Sequence, residues 1–126
     1  MKSSLIECIP NFSDAVRPEV VQQIVDSIKK VGDINVLDLH SDLDHNRSVV
    51  TFIGNPKDVE EAAFQAIKKA SLLIDLNVHR GAHPRIGATD VVPFVPIRNV
   101  TMQECVQIVK HLAQRVSSEL AIPVYL

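Results

Sequence analysis

The chain has 126 residues, 46% of them apolar and 22% charged, with a formal charge of −2. That balance suits one globular domain spanning 1–126 and excludes nucleic-acid binding that rests on neutralising phosphates, while no Trp, one Tyr and four Phe leave few rings for bases to stack on. No apolar run approaches the ~18 residues of a membrane span, and Met1-Lys2-Ser3-Ser4 leads into a strand-like segment and not a signal peptide, so a cytoplasmic protein with no membrane partner is expected.

Leu5 to Ile9 reads as a short apolar strand stopped by Pro10. A first helix is signalled by Pro18 in its first turn, Glu19 behind it, and apolar Val20, Val21, Ile24, Val25, Ile28 and Val31. Lys29 and Lys30 suit its C-terminal dipole, and Gly32 is the expected C-cap. Asn35 to His40 and Ser48 to Gly54 read as two strands of a hairpin joined by the polar stretch Ser41 to Arg47. Asn55 caps a second helix that opens on Pro56, with Asp58, Glu60 and Glu61 near its positive end. Ala62, Ala63, Phe64, Ala66, Ile67, Ala70, Leu73 and Ile74 form its apolar face.

Val91 to Ile97 reads as another strand, which Pro93 and Pro96 demote towards a sheet edge or a bulge because proline cannot donate to the ladder. Thr101-Met102-Gln103-Glu104 is a capping-box pattern opening a third helix, with Cys105, Val106, Ile108, Val109, Leu112, Ala113, Val116 and Leu120 facing inwards. Ile122 to Leu126 reads as a final short strand. The order predicts an α+β fold: a ferredoxin-like βαββαβ sandwich with an additional C-terminal helix and a short terminal strand. Helices would cover one face of the sheet and leave the other free, and an exposed apolar face of that kind predicts a homodimer.

The chemistry is concentrated in His79-Arg80-Gly81-Ala82-His83-Pro84-Arg85-Ile86-Gly87. Pro84 restricts His83 to extended conformations, His83 and His79 can exchange protons near neutrality, and Arg80 and Arg85 offer planar forks to carboxylates. Such a stretch is either an ordinary surface loop or a site, and its density of Arg, His, Gly and Pro favours the site. A second polar cluster comprises Asp38, His40, Asp42, Asp44, His45, Asn46 and Arg47. Alternation along a strand puts Asp38 and His40 on one side, where a carboxylate would raise the basicity of an imidazole; the other reading is a solvated hairpin loop.

His79, His83, His40 and Asp38 could in principle ligate a metal. The His pair spans a glycine and precedes a proline, however, and the sequence has no HExxH pattern, so no metal is expected. Cys8 and Cys105 lie far apart with no metal-type pairing and read as reduced, buried thiols.

Several segments together carry a resemblance. Glu7-Cys8-Ile9-Pro10-Asn11-Phe12-Ser13, Asp44-His45-Asn46-Arg47-Ser48-Val49-Val50-Thr51-Phe52-Ile53-Gly54, the stretch from His79 to Phe94, Thr101-Met102-Gln103-Glu104-Cys105-Val106 and Ile122-Pro123-Val124-Tyr125-Leu126 are similar to the N-terminal subdomain of glutamate formiminotransferase. The resemblance implies transfer of a formimino group from N-formiminoglutamate to N5 of the co-substrate tetrahydrofolate, with His83 matching the catalytic acid/base histidine. It also implies a second subdomain, separately encoded or supplied by a symmetric copy, with folate lying between the two. Where the family carries an aspartate beside that histidine, this sequence has His40, with Asp42 two residues on. Beside the family's Asn-Phe-Ser-acidic-Gly-basic pattern, Asp14-Ala15-Val16 stands here.

His83 and His40 are therefore the catalytic candidates. Arg47, His79, Arg80, Arg85 and Asp42 are the substrate-binding candidates, the arginines on grounds of charge. A non-catalytic folate-binding or protein-interaction module that keeps the scaffold is the alternative.

Overall fold

Alternating burial along one central strand sets the architecture. A computed structural model describes residues 4–74 and 88–126, and in it Ser48, Val50, Phe52 and Gly54 turn inwards while Arg47, Val49, Thr51 and Ile53 turn outwards. The elements run β1 (Leu5–Cys8), β2 (Asn11–Phe12), α1 (Pro18–Lys29), β3 (Ile34–Asp42), β4 (Arg47–Gly54), α2 (Pro56–Leu73), β5 (Thr89–Val91), β6 (Phe94–Arg98) and α3 (Met102–Leu120). The fold is thus α+β, with one antiparallel sheet.

β4 is flanked on one side by β3 and on the other by β1 and β2, which in turn pair with β6 and β5. Pro10 separates β1 from β2, and Pro93 separates β5 from β6 at the matching place, because neither proline can donate to a ladder. The sequence therefore gives two short paired pieces where one strand was expected on each side. The two-residue β2 has no periodicity of its own to announce it.

The inward residues meet the helices. Ile6, Cys8, Phe12, Val50 and Phe52 from the strands join Val20, Ile24, Val25 and Ile28 of α1, Val59, Ala63, Phe64 and Ile67 of α2, and Cys105, Leu112 and Val116 of α3 in one buried cluster. Fully burying each of the larger side chains contributes about 1.5–3 kcal/mol. The caps hold where they were expected. Asn55 accepts the Asp58 N–H at 2.9 Å, and Thr101 and Glu104 complete a capping box.

Three further expectations fail in detail. Gly32 is not a left-handed C-cap: α1 closes at Lys30 in ordinary helical geometry, and no described glycine has a positive φ. What Gly32 permits is close approach, since a Cβ there would lie 2.9 Å from Asp58 Oδ2. Val106 does not face inwards but is 42% exposed, because α3 meets the rest of the core along a stripe through Cys105, Leu112 and Val116. Residues 121–126 form no strand. There Ala121 takes a left-handed turn (φ 56°), Ile122 rests on the core, and Tyr125 and Leu126 are exposed.

Candidate functional site

The face of the sheet turned away from the core carries the polar residues. Cross-strand partners share a face, so the register can be read as rows. One row runs Asn35, Ile53, Glu7, Val95, and the next pairs Asp38 with Thr51. A third runs His40, Val49, Asn11, Val91, and the last pairs Asp42 with Arg47. Asp38 and His40 do share a side, as alternation required, and a bulge between Val36 and Asp38 precedes them. Polar and apolar residues mix in these rows, Asn35 and Glu7 with Ile53 and Val95, and His40 and Asn11 with Val49 and Val91.

Asp42 is committed to its own turn. Its Oδ1 accepts the N–H groups of Asp44 and His45 at 3.1 and 3.2 Å, and its Oδ2 meets His45 Nδ1 at 2.7 Å. The hydrogen bond with the His45 ring holds the Asp42 carboxyl below its ordinary value. The carboxylate is therefore acceptor-only and already engaged.

Behind Arg47 lies a buried polar network that the sequence did not announce. Asp14, Ser13, Asn46 and Ser48 are all 3% exposed or less. Asn46 Oδ1 accepts the N–H groups of Ala15 and Val16 at 2.7 and 3.0 Å, and Ser48 Oγ donates to the Asp14 carbonyl at 2.7 Å. The Asp14 carboxylate takes Arg17 Nε at 2.7 Å and the Arg17 backbone N–H at 3.2 Å, while Arg17 also donates to the Leu73 carbonyl at the end of α2. On the other side, Ser13 N–H donates to the Ala88 carbonyl at 2.9 Å. The loop 13–17 thus ties the β3–β4 turn, the end of α2 and the start of β5 together. A short polar run before Pro18 was the only signal, and it reads equally well as a surface turn.

His83, His79, Arg80 and Arg85 lie outside the described residues. Of the sequence candidates, the structure places His40 and Arg47 on the outer face of the sheet and Asp42 in the turn between their strands. Among the described residues no group of three His, Cys, Asp or Glu side chains could hold a metal ion. The Cys8 thiol is pushed well up by burial, and that of Cys105 is raised by burial with Glu104 adding to it, so neither is an activated nucleophile.

Two clefts among the described residues lie elsewhere. One runs between α1 and α2 past Asp26, Lys30, Gln65 and Lys69, and another between α2 and α3 past Glu60, His111 and Arg115. Neither contains a candidate from the sequence, and the second is filled with mutually satisfied charges. Arg115 bonds Glu61 at 3.0 Å and covers the Phe64 ring at 4.0 Å, while His111 Nδ1 meets Glu60 at 2.6 Å. Burial alone would raise the Glu61 carboxyl, but hydrogen bonds from Gln65 and Arg115 outweigh it and hold it low. This cluster fastens α3 to α2.

The described residues thus form an antiparallel sheet with one helix-covered face and one open face. The chain belongs to the formiminotransferase domain family, whose N-terminal subdomain matches residues 5–126. It is 48% identical over 124 residues to the glutamate formimidoyltransferase of Streptococcus pyogenes serotype M1, covering 98% of this chain and 42% of that protein. It is 47% identical over 123 residues to the glutamate formimidoyltransferase of Thermoplasma acidophilum, covering 98% of this chain and 41% of that one. Against the formimidoyltransferase-cyclodeaminase of Sus scrofa the identity is 46% over 124 residues, with 98% of this chain and 23% of the relative covered. The chain therefore spans less than half the length of each of these relatives.

Proposed function

We propose that this chain is the N-terminal half of a formiminotransferase, forming a single domain of ferredoxin-like design. Completed by a second subdomain or partner, it moves a formimino group from N-formiminoglutamate to tetrahydrofolate. The observation that carries the reading is the family match along residues 5–126, the open sheet face being where a second half and a ligand would sit. The spatial order β3, β4, β1/β2, β5/β6 with helices on one side supports the split β-α-β design.

In the proposed reaction the N5 lone pair forms a bond to the formimino carbon, the bond from that carbon to the glutamate nitrogen breaks, and glutamate leaves. N5 loses a proton and the leaving amine gains one. His83 is the proposed carrier of that proton, with His40 proposed to assist it, and Arg47, Arg80, Arg85, His79 and Asp42 are the proposed contacts for the substrates. Folate is a co-substrate in this scheme. A cytoplasmic protein is consistent with the absence, among the described residues, of any helix long and apolar enough to cross a membrane. The exposed Val95 and Ile97 on the open face support self-association as a homodimer.

The test is formimino transfer by the purified chain, alone and with the remaining length of the relatives supplied. Turnover in the completed protein, with kcat lowered roughly 10²- to 10⁴-fold by His83→Ala, is the expected result. Unchanged turnover in His83→Ala removes that histidine from the mechanism. Binding of a reduced folate without transfer would favour a non-catalytic folate-binding module, and no binding in either form would leave a protein-interaction module.

A further inference from the structure

We propose that Asn46 is a positioning residue for Arg47, a role that rests on the formiminotransferase reading above. Arg47 stands between two buried polar residues that are both bonded to the same short stretch of loop. Before it, Asn46 Oδ1 takes the N–H groups of Ala15 and Val16 at 2.7 and 3.0 Å. After it, Ser48 Oγ donates to the Asp14 carbonyl at 2.7 Å and shares a 2.9 Å contact with Ser41 Oγ across the hairpin. The backbone of Arg47 is therefore fixed from both sides, and alternation sends its side chain to the opposite, open face in register with Asp42.

The backbone at Asn46 bears the mark of such a constraint. Its φ is 51°, in the left-handed region that few side chains other than Asn enter, and it is only 3% exposed. Apolar packing could hold a hairpin to a loop with equal strength. Hydrogen bonds of fixed direction set where the next residue points, and that is what an arginine fork aimed at a carboxylate requires. The substrate in the proposed reaction offers such carboxylates on its glutamate portion, so Asn46 acts on substrate binding through Arg47 and touches no reacting atom.

The experiment is a mutant cycle in the completed transferase, with steady-state formimino transfer and thermal unfolding measured together. Asn46→Gly keeps the left-handed backbone and removes the acceptor; Asn46→Asp keeps an acceptor oxygen. Asn46→Gly is expected to raise KM for N-formiminoglutamate about ten-fold with kcat within two-fold, and Asn46→Asp to restore most of that loss. On an Arg47→Ala background, Asn46→Gly should add nothing further. Ser48→Ala, which removes the other anchor, should raise the same KM about three-fold and serves if Asn46→Gly fails to fold.

Multiplying effects in the double variant would overturn the proposal, as would an Arg47→Ala variant with wild-type KM. Should the wild-type assembly transfer nothing, the functional reading fails separately. The positioning claim is then read from the NMR shifts of the Arg47 backbone and Nε groups: displacement by Asn46→Gly and not by Asn46→Asp supports it, and unmoved signals overturn it.

Discussion

Asp14 and Arg17 form an ion pair whose two members live in different solvents. The Asp14 side chain is 1% exposed and that of Arg17 39%, yet the guanidinium Nε lies 2.7 Å from the carboxylate. The same Arg17 reaches the Leu73 carbonyl at 3.3 Å, so the pair also holds the end of α2. The asymmetry has a thermodynamic consequence, because only one of the two charges is stranded when its partner goes.

Arg17→Met should cost about 3 kcal/mol, since it leaves a buried carboxylate with the backbone N–H of residue 17 as its remaining partner from this pair. Asp14→Asn should cost only about 1 kcal/mol, since Arg17 can turn to water and the amide still accepts. Urea unfolding of the two variants checks the order. Equal losses would mean that the pair behaves as a surface contact.

The contact between Asp42 and His45 makes a pH-dependent contribution with a definite sign. Because the hydrogen bond with His45 holds the folded carboxyl below the ordinary 3.8, the stabilisation is complete above that value and is lost as pH falls through the lower folded one. In His45→Ala the Asp42 titration, followed by carboxyl NMR, should move up towards 3.8. The acid limb of the stability curve should lose this contribution. An unmoved titration would mean that the backbone N–H bonds alone set the shift.

Gly54 should not tolerate a side chain. It ends β4 opposite both Ile6 and Ile34, and a Cβ there would sit 2.9 Å from the Asp33 carbonyl and 2.8 Å from Ile34 Cδ1. The side chain could swing aside, but the backbone oxygen cannot. Gly54→Ala should therefore destabilise by about 1–3 kcal/mol, a fall in Tm of roughly 4 °C for each kcal/mol.

What the sequence made legible were features with a local cause. Asn55 with Pro56 and Thr101 with Glu104 fix helix starts through bonds spanning three residues, and both were read in place. The prolines at 93 and 96 were read as marks of an edge or a bulge, and β6 lies at the edge of the described sheet with a register shift opposite it. The burial of Asn46 and Ser48 was not legible, because each of those side chains finds a backbone partner about 30 positions away, and that of Asp14 was not, because the hairpin that covers its loop is equally distant in sequence. An asparagine or serine in a hairpin looks the same whether it faces water or a distant loop. Ile122–Leu126 misled for the opposite reason: a run of apolar side chains fits a strand, but pairing needs a neighbour that no local pattern specifies. Of the candidate site, alternation put Asp38 and His40 on one side of β3, as the register has them, and the four candidates between 79 and 85 lie outside the described residues.

The bulge in β3 settles a question that alternation leaves open. Val36 sits opposite Phe52 and Asp38 opposite Thr51, so Leu37 is a surplus residue, without a counterpart on β4. Had Leu37 instead paired in regular register opposite Thr51, the parity of everything downstream would reverse: Asp38 and His40 would dive among the aliphatic side chains beneath α1, and the greasy residues beside them would surface. One leucine, chemically inert itself, thereby decides that an imidazole and a carboxylate stand on the outer face instead of being entombed.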